Sequence, residues 1–161
     1  MAKQGFKFIT GGVLLLWLSL QAVACARPEV TTVASLEQAT REAAARNLPL
    51  LLAFSSRSCA YCVQLEQDFL IPMLVSGDYT DRVLIRKLNI DAGVMVEDLQ
   101  GRITPAHRIA DHYNVDVTPT LLFLGPDGEE LAERLIGVMT PDFYGGYIDR
   151  GIAAANAALD E

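Results

Sequence analysis

The sequence is poor in metal ligands and in excess positive charge. It holds two histidines, three cysteines and one tryptophan in 161 residues. A structural zinc site takes about four protein ligands. Cys59 and Cys62 form one C-x-x-C pair, there is no second, and Cys25, His107 and His112 are the only other candidates. His107 and His112 stand five apart, a poor spacing for sharing one helix face, so both read as ordinary helix residues and no metal is expected. Lysine and arginine number 13 against 20 acids, for a net charge of −7. No basic stripe is present to neutralise phosphates, which argues against nucleic acid as a partner. Repeats and low-complexity segments are absent as well.

At 51% apolar and 20% charged, the composition suits one folded domain with a short extension. That extension reads as an export signal over residues 1–26. Lys3 and Lys7 form its positive start, residues 13–20 its apolar core, and Ala22-Val23-Ala24 or Ala24-Cys25-Ala26 a small-x-small cleavage site. The expected mature domain is 27–161. Losing Lys3 and Lys7, with no acid alongside, takes the charge from −7 to −9, and the single tryptophan, Trp17, leaves too. Two other fates stay open: an uncleaved anchor, since residues 8–26 carry no charge, and lipidation at Cys25, because AVAC is an imperfect bacterial lipoprotein signal. Export places the C-x-x-C pair outside the reducing cytosol.

The chemistry centres on Cys59-Ala60-Tyr61-Cys62. An apolar run at 50–54 precedes it and reads as a buried strand, and helical spacing at Leu65, Phe69 and Met73 follows. The pair therefore falls on the first turn of a helix, whose free N–H groups favour thiolate over thiol at Cys59. Cys59 is the expected nucleophile. Cys62, one turn on, can close a disulfide and release whatever Cys59 has attacked. Half a zinc site and an inert structural disulfide are the plainer alternatives.

Around this site the chain alternates strands and helices. An edge strand is expected near 30–33, then a helix capped by Ser35 and ending near Asn47. Strand 48–54 leads to the cysteine helix, Gly77-Asp78 breaks the chain, and 83–90 (VLIRKLNI) reads as a parallel strand. Residues 91–103 read as polar and turn-rich, followed by a helix over 106–113. Strand 117–124, the turn Gly125-Pro126-Asp127-Gly128 and strand 131–138 form an antiparallel pair. Thr140 is expected to cap a last helix to about Leu159, with Phe143, Tyr147, Ile148 and Ile152 facing inward.

LAFSSRSCAYC, KLNID (87–91), VTPTLLFLGPDG and Gly137 together resemble thioredoxin over roughly 35–159. The segment 96–115, TPTLLF and the late TPDFY are most similar to periplasmic SoxW-type thioredoxins. The resemblance implies an α/β thioredoxin fold, with a central mixed sheet, helices on both faces and a cis-proline at Pro119. It implies nucleophile and resolving roles for Cys59 and Cys62, and substrate contacts at Thr118, Pro119, Gly137 and Tyr61. No cofactor beyond a Cys59–Cys62 redox disulfide is implied. The expected partners are protein disulfides and a DsbD- or CcdA-like membrane thiol carrier that supplies electrons to a periplasmic monomer.

Three departures from thioredoxin stand out. Ser58 replaces the tryptophan before the first cysteine. Ala53 replaces the buried aspartate that helps move the proton on the resolving cysteine, which leaves Lys87 without that partner; Glu66 is one substitute, although exposure is its ordinary fate. Ala60-Tyr61 replaces Gly-Pro and leans toward exported oxidants and isomerases. The expected activity is reduction of protein disulfides, in sulfur oxidation or cytochrome c maturation. The rivals are a DsbA/DsbC-type oxidase or isomerase, and a non-catalytic peptide-binding or metal-carrier module.

Overall fold

A computed structural model describes residues 28–161; the expected leader, Cys25 and Trp17 lie outside them. Helix α1 (Leu36–Ala45) starts where Ser35 accepts a hydrogen bond from Gln38 N–H at 3.0 Å. Strand β1 (Leu50–Ser55) is buried at every position. Helix α2 (Ala60–Leu65) leads through residues Glu66–Leu70 into α3 (Ile71–Ser76), which ends at the left-handed Gly77. Then come β2 (Leu84–Asn89), β3 (Met95–Glu97), β4 (Ile103–Pro105), α4 (Ala106–His112), β5 (Thr120–Leu124), β6 (Glu130–Ile136) and α5 (Pro141–Leu159).

The main sheet runs β2-β1-β5-β6, with β1 and β2 parallel and the other pairs antiparallel. Side chains alternate across a strand, so β1 serves two cores at once. Leu50, Leu52 and Phe54 meet α1 and α4 residues such as Leu36 and Ile109. Leu51 and Ala53 face Leu65, Leu70 and Met73 of the cysteine arm, and Ile148 and Ile152 of α5. With helices on both faces, the sheet's central strands β1 and β5 are buried at every position and apolar except at Ser55 and Thr120. The result is the mixed α/β thioredoxin fold.

Several sequence expectations are corrected. The cysteine helix is not uniform: Ile71 N–H bonds to Glu66 C=O, one residue wider than an α-turn. Pro72 supplies the reason, since it has no N–H for the carbonyl four residues back and its ring crowds that carbonyl. The wide turn shifts register, so Leu70 is fully buried and Phe69 only partly. Residues 91–103 are more ordered than their polarity suggests, because β3 and β4 pair antiparallel. The buried Asp98 carboxylate closes their turn, accepting from Gln100 N–H, Arg102 N–H and Arg102 Nε at 2.9–3.0 Å. The Arg102 backbone bond is the chief cause holding its pKa below the usual aspartate value.

At the ends of the fold, the expected edge strand near 30–33 is a single bridge, Thr32 to Lys87, on the free side of β2. The strand after Pro119 begins at Thr120, not at Val117. Thr140 does not cap α5 through its side chain; its backbone is left-handed and its hydroxyl donates to Met139 C=O. The inner face of α5 is Tyr144, Ile148, Ile152 and Ala155. Phe143 and Tyr147, one position away from that row, are exposed.

Gly151 on α5 lies directly over the buried Phe123 ring, where a Cβ would overlap ring carbons. Alanine is favoured over glycine in a helix by about 1 kcal/mol. Overpacking costs about 1–3 kcal/mol, and Phe123, with no exposed surface, has nowhere to swing. Packing should win: Gly151→Ala is expected to lower stability in urea unfolding followed by circular dichroism, whereas an increase would contradict this contact.

Candidate active site

The carboxyl end of β1 delivers the chain into a turn over residues 56–59, closed by Cys59 N–H to Ser56 C=O at 3.2 Å. Cys59 is the N-cap of α2: its carbonyl accepts from Cys62 N–H (3.1 Å) and Val63 N–H (3.3 Å), and its Sγ also accepts from Cys62 N–H at 3.1 Å. That contact offers a negative sulfur one of the unpaired donors of a helix start. The two cysteines form a disulfide, with Cα atoms 5.2 Å apart. Cys62 is 4% exposed while Cys59 is partly exposed, so an incoming sulfur reaches Cys59 first.

A second loop faces the disulfide. The Thr118–Pro119 peptide is cis, and Thr118 O lies 3.4 Å from Cys59 Sγ. In the disulfide that sulfur carries no hydrogen, so the contact becomes a hydrogen bond only in the reduced thiol, and a thiolate there would face a carbonyl lone pair. Pro119 C=O accepts from Gly137 N–H at 2.8 Å. Thr120 Oγ1 donates to Val117 C=O at 2.7 Å and fixes the approach to β5. Cys59, Cys62, Thr118, Pro119 and Gly137 are thus brought together. Tyr61 is 63% exposed.

Val117, Ile136 and Met139 flank Thr118 and Gly137 along the chain and are all more than half exposed. Nothing in the sequence marks them, since Val117 and Ile136 fall within expected strands and Met139 lies in the link to α5. His107 and His112 are exposed on α4. Among the described residues, no group of three or more His, Cys, Asp or Glu side chains converges on a metal-sized site.

The charged residues depart from expectation. Glu66 is not simply exposed: both its oxygens contact Lys87 Nζ, at 2.7 and 2.8 Å, and the two side chains are about one-fifth exposed. Lys87 stands opposite Ala53 in the β1–β2 register. The lysine therefore has a carboxylate partner after all, supplied by the helix rather than by the strand. Asp91, just past β2, accepts from Ser56 Oγ (2.7 Å), Arg57 N–H (3.0 Å) and Arg57 Nε (3.3 Å). The Ser56 bond, followed by the Arg57 backbone bond, holds its carboxyl below the usual aspartate range. A lowered folded value means stability present above the unfolded pKa and lost as pH falls through the folded one.

A family model for the thioredoxin-like domain matches residues 36–151. No curated protein sequence matches the chain. Among solved structures, a poplar thioredoxin h is similar at TM-score 0.52 and 21% identity, over 76% of this chain and 96% of that one. Mitochondrial thioredoxin 3 of Saccharomyces cerevisiae gives TM-score 0.52 and 21% identity, over 77% and 93%. A Malassezia sympodialis thioredoxin gives 0.54 and 16%, over 80% and 95%. At such identities the likeness is one of fold.

Proposed function

The chain belongs to the thioredoxin-like family, and from that premise we propose that it is an exported protein-disulfide reductase working through Cys59 and Cys62. The observation that carries the direction of exchange is the setting of Cys59 Sγ. Among the described residues its one hydrogen-bond donor is Cys62 N–H, Thr118 O stands opposite, and the nearby Arg57 is engaged by Asp91. Strong oxidants owe their potential to a stabilised reduced form. A thiolate with one donor and a facing carbonyl is only weakly stabilised, which favours a reductant.

The reaction balances on the two sulfurs. The Cys59 thiolate attacks one sulfur of a substrate disulfide, forming a mixed disulfide and expelling one substrate thiolate. The Cys62 thiolate then attacks Cys59 Sγ and releases the second substrate sulfur. Two electrons pass to the substrate, and the protein is left with the Cys59–Cys62 disulfide. Thr118, Pro119, Gly137 and Tyr61 would meet an extended substrate segment, helped by the exposed Val117, Ile136 and Met139.

The leader-like residues 1–26 support export to a periplasm, with anchoring through Cys25 as a variant. There a reductant needs electrons from a membrane thiol carrier of the DsbD or CcdA kind. The SoxW-type kinship, with roles in sulfur oxidation or cytochrome c maturation, and a monomeric state complete the proposal. Reduction of insulin disulfides with dithiothreitol as electron source tests the activity: catalytic turnover well above the dithiothreitol blank is expected, and a rate equal to the blank would overturn it.

Glu66 takes the proton-handling part in resolution. It lies one helical turn beyond Cys62 and is held by Lys87, so its carboxylate can receive, directly or through water, the proton that Cys62 must lose. Glu66→Gln should slow decay of the Cys59 mixed disulfide by about 10- to 100-fold, while the initial attack by Cys59 keeps its rate. Quenched-flow samples on non-reducing gels separate the two steps. Unaltered decay would remove Glu66 from the mechanism.

A further inference from the structure

Asp91 touches neither sulfur, yet it makes four contacts with the turn that carries the nucleophile. Its Oδ1 takes Ser56 Oγ at 2.7 Å and lies 3.3 Å from Arg57 N–H; its Oδ2 takes Arg57 N–H at 3.0 Å and Arg57 Nε at 3.3 Å. Ser56 and Arg57 open the turn whose closing bond is Cys59 N–H to Ser56 C=O. Asp91 itself has little freedom. Ile90 N–H bonds to Ser55 C=O at 2.9 Å, extending the β1–β2 ladder to its doorstep, and Asp91 C=O accepts Val94 N–H at 3.1 Å. A side chain fixed to the sheet thus grips the loop between β1 and α2, as a group needed to hold a reactive atom in register should.

We infer that Asp91 is a positioning residue for Cys59: by gripping Ser56 and Arg57 it sets where the turn delivers the Cys59 sulfur against Cys62 N–H and Thr118 O. The inference rests on Cys59 being the nucleophile proposed above. One feature gives the grip consequence: the Cys59 sulfur has one N–H donor at 3.1 Å, and a hydrogen bond of that kind weakens steeply with misalignment.

The test compares Asp91→Ala with Asp91→Asn. Both remove the same charge, so their electrostatic effect on Cys59 is common; only asparagine retains an oxygen that can accept from Ser56 or Arg57. At pH 7 insulin reduction by the alanine variant should have kcat/KM about tenfold below the asparagine variant. The pH midpoint for iodoacetamide alkylation of Cys59 should also lie higher in Asp91→Ala than in Asp91→Asn. Asp149→Asn, which removes a carboxylate from a surface pair with Arg82, should match the unmutated protein in both readouts. Superimposable curves for Asp91→Ala and Asp91→Asn overturn the inference.

Insulin turnover and alkylation separate the two ideas. An unmutated protein without turnover overturns the reductase reading, while the alkylation comparison still decides the role of Asp91. If Asp91→Ala does not fold, Ser56→Ala takes its place, since it drops the shortest contact and leaves every charge. It should slow Cys59 alkylation at pH 7 about threefold, and an unchanged rate overturns the inference.

Discussion

Cys59→Ser is expected to remove disulfide-reductase turnover, by about three orders of magnitude or more, down to the rate of dithiothreitol alone. A serine hydroxyl is not ionised at neutral pH, and an oxygen cannot form the mixed disulfide. Cys62→Ser should fail differently: the partly exposed Cys59 still attacks, but nothing within the protein expels the substrate. A covalent adduct of protein and substrate through Cys59 should then accumulate, visible by intact mass and lost on adding excess dithiol. The asymmetry follows from burial, because Cys62 is 4% exposed whereas Cys59 is partly exposed. Equal adduct formation by both single variants would contradict the assignment of roles, and turnover by Cys59→Ser would contradict the mechanism outright.

Phe54→Ala should cost about 3–5 kcal/mol of stability. Phe54 has no exposed surface, sits edge-on to Tyr113 with ring centroids 6.1 Å apart, and packs in the core that joins β1 to α1 and α4. The cavity cannot refill easily, because the flanking strands β2 and β5 hold β1 on both sides. Tyr113 is also pinned, its hydroxyl donating to Gly128 C=O at 2.8 Å, and burial pushes its pKa up to about 12. The melting temperature should fall by about 10–20 °C, measured by far-ultraviolet circular dichroism. A loss under about 1 kcal/mol would show that this core repacks freely.

The parts of this molecule legible in the sequence are those where one period or one residue type dominates. LPLLLAF is apolar at every position, and only a strand buried on both faces needs that; β1 is such a strand. The Gly125–Gly128 turn and the C-x-x-C junction likewise have local chemistry that admits few geometries. What stayed hidden depends on partners distant in sequence. Asp98 reads as one more polar loop residue, and its value in closing the β3–β4 turn appears only when Arg102 folds back on it. Phe143 and Tyr144 are adjacent aromatics, and the α5 register alone decides which is buried. The wide turn at Glu66–Leu70 was foreshadowed by Pro72, but a proline can also end a helix, and the sequence does not choose. Glu66 and Lys87 are 21 residues apart, so their pairing rests on the packing of the cysteine arm over β2.

The central claim is that the Cys59–Cys62 pair donates electrons. Its most direct test is the reduction potential of that pair, obtained by equilibrating the protein in dithiol and glutathione buffers and counting free thiols by alkylation and mass. A weakly stabilised Cys59 thiolate predicts a value of about −230 mV or lower. A value of about −120 to −180 mV would contradict the account and place the protein among disulfide oxidants and isomerases.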